Sequence, residues 1–277
     1  MPTREQKYQT FKALHERPGI FIIPNPWNAG TARILTALGF EALASTSAGY
    51  AFSVGRRDSF AGLTRDEILE NAKSIVDATD LPVSADLEDG FGRAPEDCAK
   101  TIQLASQVGL VGGTLEDATG NPDQPIYDFK LAVERVAAAA SASKTHHFIL
   151  TARAENFLHG RPDLNDTLRR LQAFAEAGAD VVYAPGLPSL DAIRQVCASV
   201  PAPVNVVMGL KGSTFSVDEL AAAGVKRISV GGSMARAALG AFIRAAREVK
   251  ENGTFTYAAN AVPNAEITGY MAMEKRR

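Results

Sequence analysis

The chain has 277 residues, 46% of them hydrophobic and 22% charged, with a net charge of −2. Those values are ordinary for a globular protein and allow one large α/β domain or two small ones. The near-neutral balance offers no broad footprint for nucleic acid or an anionic membrane, no run of about 18 apolar residues predicts a membrane span, and two distant cysteines, Cys98 and Cys197, suggest a reducing, cytoplasmic setting rather than a disulfide scaffold.

The N-terminal stretch "MPTREQKYQTFKALHERPG" is polar and lacks an apolar signal core. Short apolar, β-branched runs then recur: "GIFIIP" (19–24), "FEALAST" (40–46), "LPVSADLE" (81–88), "GLVGGTLED" (109–117), "HHFILTARAE" (146–155), "ADVVYAP" (179–185), "APVNVVMG" (202–209) and "VKRISVGG" (225–232). Helical periodicity fills most of the intervals. Residues 64–79 follow a Thr64 N-cap with Asp66 and Glu67 in the first turn. Residues 95–107 open with Pro95, a favoured first helical residue. Residues 164–180 end their apolar stripe at Gly178.

Eight strands alternating with helices imply parallel pairing through right-handed crossovers, and eight units suit a (β/α)8 TIM-type barrel. A doubly wound sheet would show a glycine-rich phosphate fingerprint after strand 1, and "NPWNAGTA" lacks one. We therefore read residues 1–277 as one barrel domain, with 251–277 as a C-terminal tail. Its segment "NAEITGYMAMEKR" reads as a helix that must pack on the barrel or on a partner.

In such a barrel the chemistry gathers at the C-terminal ends of the strands. Polar residues stand there repeatedly: Ser45, Thr46, Ser47 and Gly49 after strand 2, Asp86 and Glu88 after strand 3, Glu116 and Asp117 after strand 4, Arg153 and Glu155 after strand 5, Asn205 on strand 7. Strand alternation puts Asp86 and Glu88 on one face and turns Asp89 away. Two carboxylates on one face repel unless compensated. A hard divalent cation, with Glu116 completing the cluster, is one compensation; ion pairs or capping of the next helix are the other. The fork of Arg153 suits a carboxylate ligand or an internal pair with Glu155, Glu116 or Asp117. "TSAGYA" (46–51) offers a hydroxyl and backbone N–H groups to an anion, or forms a plain turn. Neither a histidine metal spacing nor a Ser-His-Asp signature stands out among His15, His146, His147 and His159.

The placement of "TSAG", "RRDSF", "ADLEDGFG", "LED" and "TARAEN" resembles the isocitrate lyase/phosphoenolpyruvate mutase superfamily over about residues 19–250, and is most similar to short bacterial members labelled phosphonomutase-like. The resemblance implies a barrel whose last helix is swapped between subunits of a dimer or tetramer, so that residues 251–277 would serve oligomerisation. It implies Mg²⁺, with Mn²⁺ as an alternative, chelating a small 2-oxo or 2-hydroxy carboxylate. Carried over by position, Asp86, Glu88 and Glu116 resemble the metal-site acids, Glu88 replacing a frequent second aspartate. Arg153 resembles the substrate-carboxylate arginine. Ser47, Ala48 and Gly49 resemble the segment that binds the oxo-acid end, and Asn205 a polar strand-7 position. Asp58 matches a metal-proximal loop acid, which with Arg153 and Glu116 makes the expected catalytic set.

The departures are as informative. Family lyases carry a Lys-(Lys/Arg)-Cys-Gly-His loop after strand 4, whereas this chain reads "EDATGNPDQPIYDF", offering only Asn121 for a mutase-type loop. After strand 6, where lyases have Glu and mutases His, it reads "YAPGL", with Tyr183 as the polar residue. The expectation is a Mg²⁺-dependent lyase acting through an enolate-like species by C–C cleavage or decarboxylation, on an oxaloacetate-like substrate. The alternatives are a phosphoenolpyruvate/phosphonopyruvate-type C–P enzyme and a 2-oxo-acid binding protein without turnover.

Overall fold

The computed structural model describes residues 2–60, 62–212 and 214–272. Eight short parallel strands follow one another around a nearly closed barrel: β1 (Phe21–Ile23), β2 (Leu43–Ala44), β3 (Val83–Asp86), β4 (Gly112–Glu116), β5 (Ile149–Arg153), β6 (Val181–Tyr183), β7 (Val204–Val207) and β8 (Arg227–Ser229). Each pairs with its sequence neighbour from β2 to β8, and β8 pairs with β1. The remaining gap is bridged where the Ala44 N–H donates to the Pro24 carbonyl at 3.0 Å. The eight expected strands are all present, β2 reduced to two residues.

The helices are α1 (Arg4–Glu16), α2 (Ala29–Ala37), α3 (Ser47–Ser53), α4 (Arg65–Asp77), α5 (Pro95–Gln107), α6 (Phe129–Thr145), α7 (Leu164–Glu176), α8 (Leu190–Ser199), α9 (Val217–Ala222), α10 (Ser233–Asn252) and α11 (Asn264–Met271), with a 3₁₀ turn at Thr256–Asn260. The α4 and α5 starts fall where their caps predict. Thr64 accepts from the Glu67 N–H in a reciprocal capping box, and Pro95 takes the first position of α5. The expected C-terminal helix ends earlier than the sequence pattern, and residues 273–277 lie outside the described residues.

The polar N-terminal stretch, to which the sequence reading gave no element, forms α1 and seals the N-terminal end of the barrel. Its signals are a capping box between Thr3 and Gln6 and the pair Phe11 and Leu14, one turn apart. Phe11 is fully buried in a cluster with Leu14, Phe21, Ile23, Ala42, Val111, Ile149 and Val181. Gly112 makes the fit possible, because a Cβ there would stand 2.6 Å from the Phe11 ring. Arg4 donates to the carbonyls of Leu110 (3.0 Å) and His146 (2.7 Å), and Lys7 to that of Thr79 (2.7 Å).

α10 behaves differently from the other barrel helices. Only Ala235 of its 20 residues is buried. Phe242 (69% exposed), Leu239 and Ile243 lie open, as do Phe255 (63%) and Val262 beyond it. α11 returns to its own chain, where Arg33 of α2 donates to the Met271 carbonyl. α10 thus stands clear of its own barrel, and a single chain shows no exchange of helices between subunits in either sense.

His15 of α1 reports on this sealed end. Its Nδ1 lies 2.8 Å from the Phe11 carbonyl, an acceptor, which puts the proton on Nδ1 and leaves Nε2 to accept from Arg227 Nη1 at 3.2 Å. Burial, then the adjacent Arg227 charge, push its pKa down to about 3. Below about pH 6.5 the unfolded chain therefore binds a proton that the folded one refuses, so this site's contribution is full above that value and is lost as pH falls toward 3. The urea midpoint should drop more steeply between pH 6.5 and 4 in the parent than in His15→Gln, the difference reaching at most about 1.4 kcal/mol per pH unit; parallel profiles would remove His15 from the account.

Candidate active site

Strand register builds one belt of side chains inside the barrel, running from Asp86 at the end of β3 to Arg227 at the start of β8. Asp86 pairs with Thr114, Glu116 with Arg153, Arg153 with Tyr183, Tyr183 with Asn205, and Asn205 with Arg227. These residues line a cavity of about 370 Å³ that opens between the strand–helix loops. Barrel interiors are usually packed with Val, Ile and Leu, so a polar belt here marks space reserved for a ligand.

Arg153 is the hub. Its Nη1 lies 3.2 Å from Asp86 Oδ1, its Nη2 lies 3.1 Å from Glu116 Oε2 and 2.8 Å from Glu155 Oε1, and its Nε donates to Glu155 Oε1 at 2.8 Å. Its guanidinium lies 5.2 Å from the centre of the Tyr183 ring. Burial works to lower its pKa, but Glu155, Glu116 and Asp86 outweigh that and hold the charge firmly in place.

The turn after β3 settles the three neighbouring acids. Asp86 ends the strand and accepts from the Ser47 hydroxyl at 2.8 Å and the Ser47 N–H at 3.3 Å. Glu88 lines the same cavity, but through a left-handed turn (φ 47°) rather than by strand alternation. Burial and then Asp86, Asp89 and Asp58 push its carboxyl up to about 8. Asp89 is turned away, as alternation predicts. It accepts from Tyr127 Oη at 3.1 Å and lies 3.8 Å from Arg135.

A second buried layer steadies the first. Asp117 accepts from the Glu155 N–H at 2.8 Å and from Arg170 at 2.9 Å, and Arg170 also donates to the Tyr127 carbonyl and to Asp166. Thus the loop after β4, the end of β5 and α7 are fastened to one another directly behind Arg153.

Of the other sequence candidates, Ser47 and Ala48 line the cavity, as the first turn of α3 rather than a loop. Gly49 does not line it. Its N–H goes to Thr46 Oγ1 at 3.3 Å, and a Cβ there would meet Trp27 at 2.9 Å. Asp58 lines the mouth beside Ser59 and Phe60. Asn205 lines the cavity with both amide ends engaged, its Oδ1 by Arg227 Nε (2.8 Å) and its Nδ2 by Ser229 Oγ (3.0 Å). Sequence reasoning missed Arg227, Arg170 and Arg135, each on an element of otherwise ordinary pattern. Phe60, 51% exposed, rests on Gly120, which adopts φ +69° and where a Cβ would stand 1.9 Å from the ring.

The hard oxygen donors suit Mg²⁺ or Mn²⁺ better than a soft metal. Among the described residues no three acids converge as ready-made metal ligands, because Arg153 bridges Asp86 and Glu116. Even so, Asp58, Asp86, Glu88, Glu116 and Glu155 crowd the mouth around Arg153, and among the described residues Glu88 forms no ion pair. That surplus fits a cation that takes one or two carboxylates and completes its shell with water or ligand oxygens.

The phosphoenolpyruvate phosphomutase family profile matches residues 11–250. This chain belongs to that family. A Burkholderia cenocepacia J2315 protein with a provisional lyase/mutase assignment is 57% identical, with 97% of this chain and 96% of that one covered and a TM-score of 0.94. The crystal structure of 2,3-dimethylmalate lyase, a PEP mutase/isocitrate lyase superfamily member, matches at 25% identity over 99% and 96% of the two chains with a TM-score of 0.86. The 2-methylisocitrate lyase of Escherichia coli (strain K12) is 27% identical, covering 78% of this chain and 75% of its own.

Within this family member the buried Asp117–Arg170 pair should be indispensable to the frame. Arg170→Ala strands a buried carboxylate and should lower the unfolding free energy by about 3–5 kcal/mol, measured by urea denaturation. A change below about 1 kcal/mol would show that the pair contributes little.

Proposed function

We propose that the protein is a Mg²⁺-dependent lyase that breaks a C–C bond in a small 2-oxo or 2-hydroxy carboxylic acid, by cleavage or decarboxylation. The observation that carries this is the surplus of carboxylates around Arg153 in a small cavity at the barrel mouth. The lyases among its relatives support the reaction class, and an oxaloacetate-like acid is the simplest substrate.

Asp86 would be the principal residue to hold the metal, with Glu88 and Glu116 beside it. Bound there, Mg²⁺ would supply Lewis-acid polarisation of the 2-oxo or 2-hydroxy oxygen. The protein's own groups do the rest. Ser47 fixes Asp86 through two hydrogen bonds. Of the five guanidinium N–H groups of Arg153, one on Nη1 has no carboxylate partner and is available to a substrate carboxylate. Ser47 and Ala48 close the side of the cavity against the acid's oxo end. Such fixed partners hold the scissile bond in line with the carbonyl π system, which is where orientation lowers the barrier. Asp58, at the mouth, is placed to reach the reacting end.

The family profile itself favours a second reading, transfer or cleavage at a C–P bond. Turnover of a 2-oxo-acid panel, with ³¹P NMR on phosphonopyruvate, separates the two.

Oxalate mimics an enolate, so Mg²⁺ with oxalate should stabilise the protein by about 2.7 kcal/mol at one hundred times Kd, read as a rise in Tm. Asp86→Ala should abolish that ligand-dependent rise. A variant that still responds like the parent would sink the metal assignment.

The open apolar face of α10 and the segment after it we assign to a homo-oligomer, a dimer or tetramer, formed by a second copy of this chain. Deleting residues 254–277 should reduce the assembly in size-exclusion chromatography with light scattering. An unchanged assembly and Tm would rule out the tail as its determinant.

A further inference from the structure

Among the described residues, Arg227 is the cation in the cavity lining that the acid cluster does not account for. It is 2% exposed. Its Nε donates to Asn205 Oδ1 at 2.8 Å and its Nη2 to Thr151 Oγ1 at 2.9 Å, while Nη1 meets His15 Nε2 at 3.2 Å. All three partners are neutral. Among the described residues no carboxylate pairs with it, in contrast to Arg153, which holds three. A buried charge without a counter-charge is costly.

The remaining donors point to a ligand. Three of the five guanidinium N–H groups are engaged, which leaves one on each terminal nitrogen. Ser84 lines the same cavity, and its buried hydroxyl has no partner. Ser229, also in the lining, is already tied to Asn205. The cavity therefore has acids and Arg153 at its mouth and, below them, an uncompensated guanidinium with an idle hydroxyl.

We infer that Arg227 is a specificity-determining residue: it receives a second anionic group of the substrate, so that the site selects dianionic acids over monoanionic ones of the same length. This rests on the 2-oxo-acid reading above and deepens it. The second carboxylate provides the counter-charge that the barrel interior lacks, and the neutral Asn205, Thr151 and His15 keep the fork in place without competing for its charge. Among the described residues only neutral groups hydrogen-bond to Arg227.

The matched probes are oxaloacetate and 2-oxobutyrate, which differ by one carboxylate against one methyl group, each with Mg²⁺ and read as KM for an acid that is turned over and as calorimetric Kd for one that is not. The parent should prefer oxaloacetate by at least about tenfold, the scale of a hydrogen bond to a charged group. Arg227→Met should lose that preference through weaker oxaloacetate binding, with 2-oxobutyrate held within about twofold. Arg227→Lys, which keeps the charge and loses the fork, should keep a reduced preference and decides the matter if the methionine variant does not fold. A parent without preference for oxaloacetate, an equal loss for both acids in Arg227→Met, or an Arg227→Lys variant without any preference would each overturn the inference. Failure of both acids to bind the parent would instead refute the 2-oxo-acid reading itself.

Discussion

One guanidinium holds the site together. Arg153 touches three carboxylates supplied by three different strand ends, Asp86, Glu116 and Glu155. Without it those acids would repel one another in a partly desolvated space. Its own position is secured from behind, since Glu155 is fastened through its N–H to Asp117, and Asp117 to Arg170 of α7. The geometry of the mouth is thus set by alternating charge across two layers, and the short strands need only deliver each residue to the right height.

This arrangement also explains why the opposite end of the barrel is closed so firmly. A cavity lined by Ser84, Thr114, Asn205 and Arg227 forgoes the apolar filling that stabilises other barrels. The compensating burial lies outside the barrel wall and beneath it. Phe11 and Leu14 of α1 pack against Phe21, Val111, Ile149 and Val181, which closes the barrel at that end. The two ends have opposite tasks, and α1 separates them.

The fold was legible because strand and helix periods alternate cleanly and the caps at Thr64 and Pro95 mark boundaries. The acids of "SADLEDGFG" were legible as a cluster, since period-two alternation already separates Asp86 from Asp89. The route of Glu88 was not, because a left-handed residue at a non-glycine position leaves no compositional mark. α1 escaped notice because its apolar stripe is thin, Phe11 and Leu14 in a polar stretch. Arg227 was hidden for a different reason. In sequence it is one basic residue after Lys226 in a β-branched run, and only closure of the barrel shows that its side chain points inward and meets no acid. Gly49 misled in the opposite sense, its glycine being required by Trp27 rather than by a ligand.

The contact between Phe60 and Gly120 has a consequence for how such a site can change. The two residues come from loops after different strands, yet the ring occupies the very space that any side chain at 120 would need. Their sequences are therefore not independent variables. A larger residue at 120 is admissible only together with a smaller one at 60, and each such exchange re-cuts the rim beside Asp58. Selection or engineering that alters one loop at a time would meet a barrier here, whereas paired changes could widen the entrance without disturbing the charged belt below.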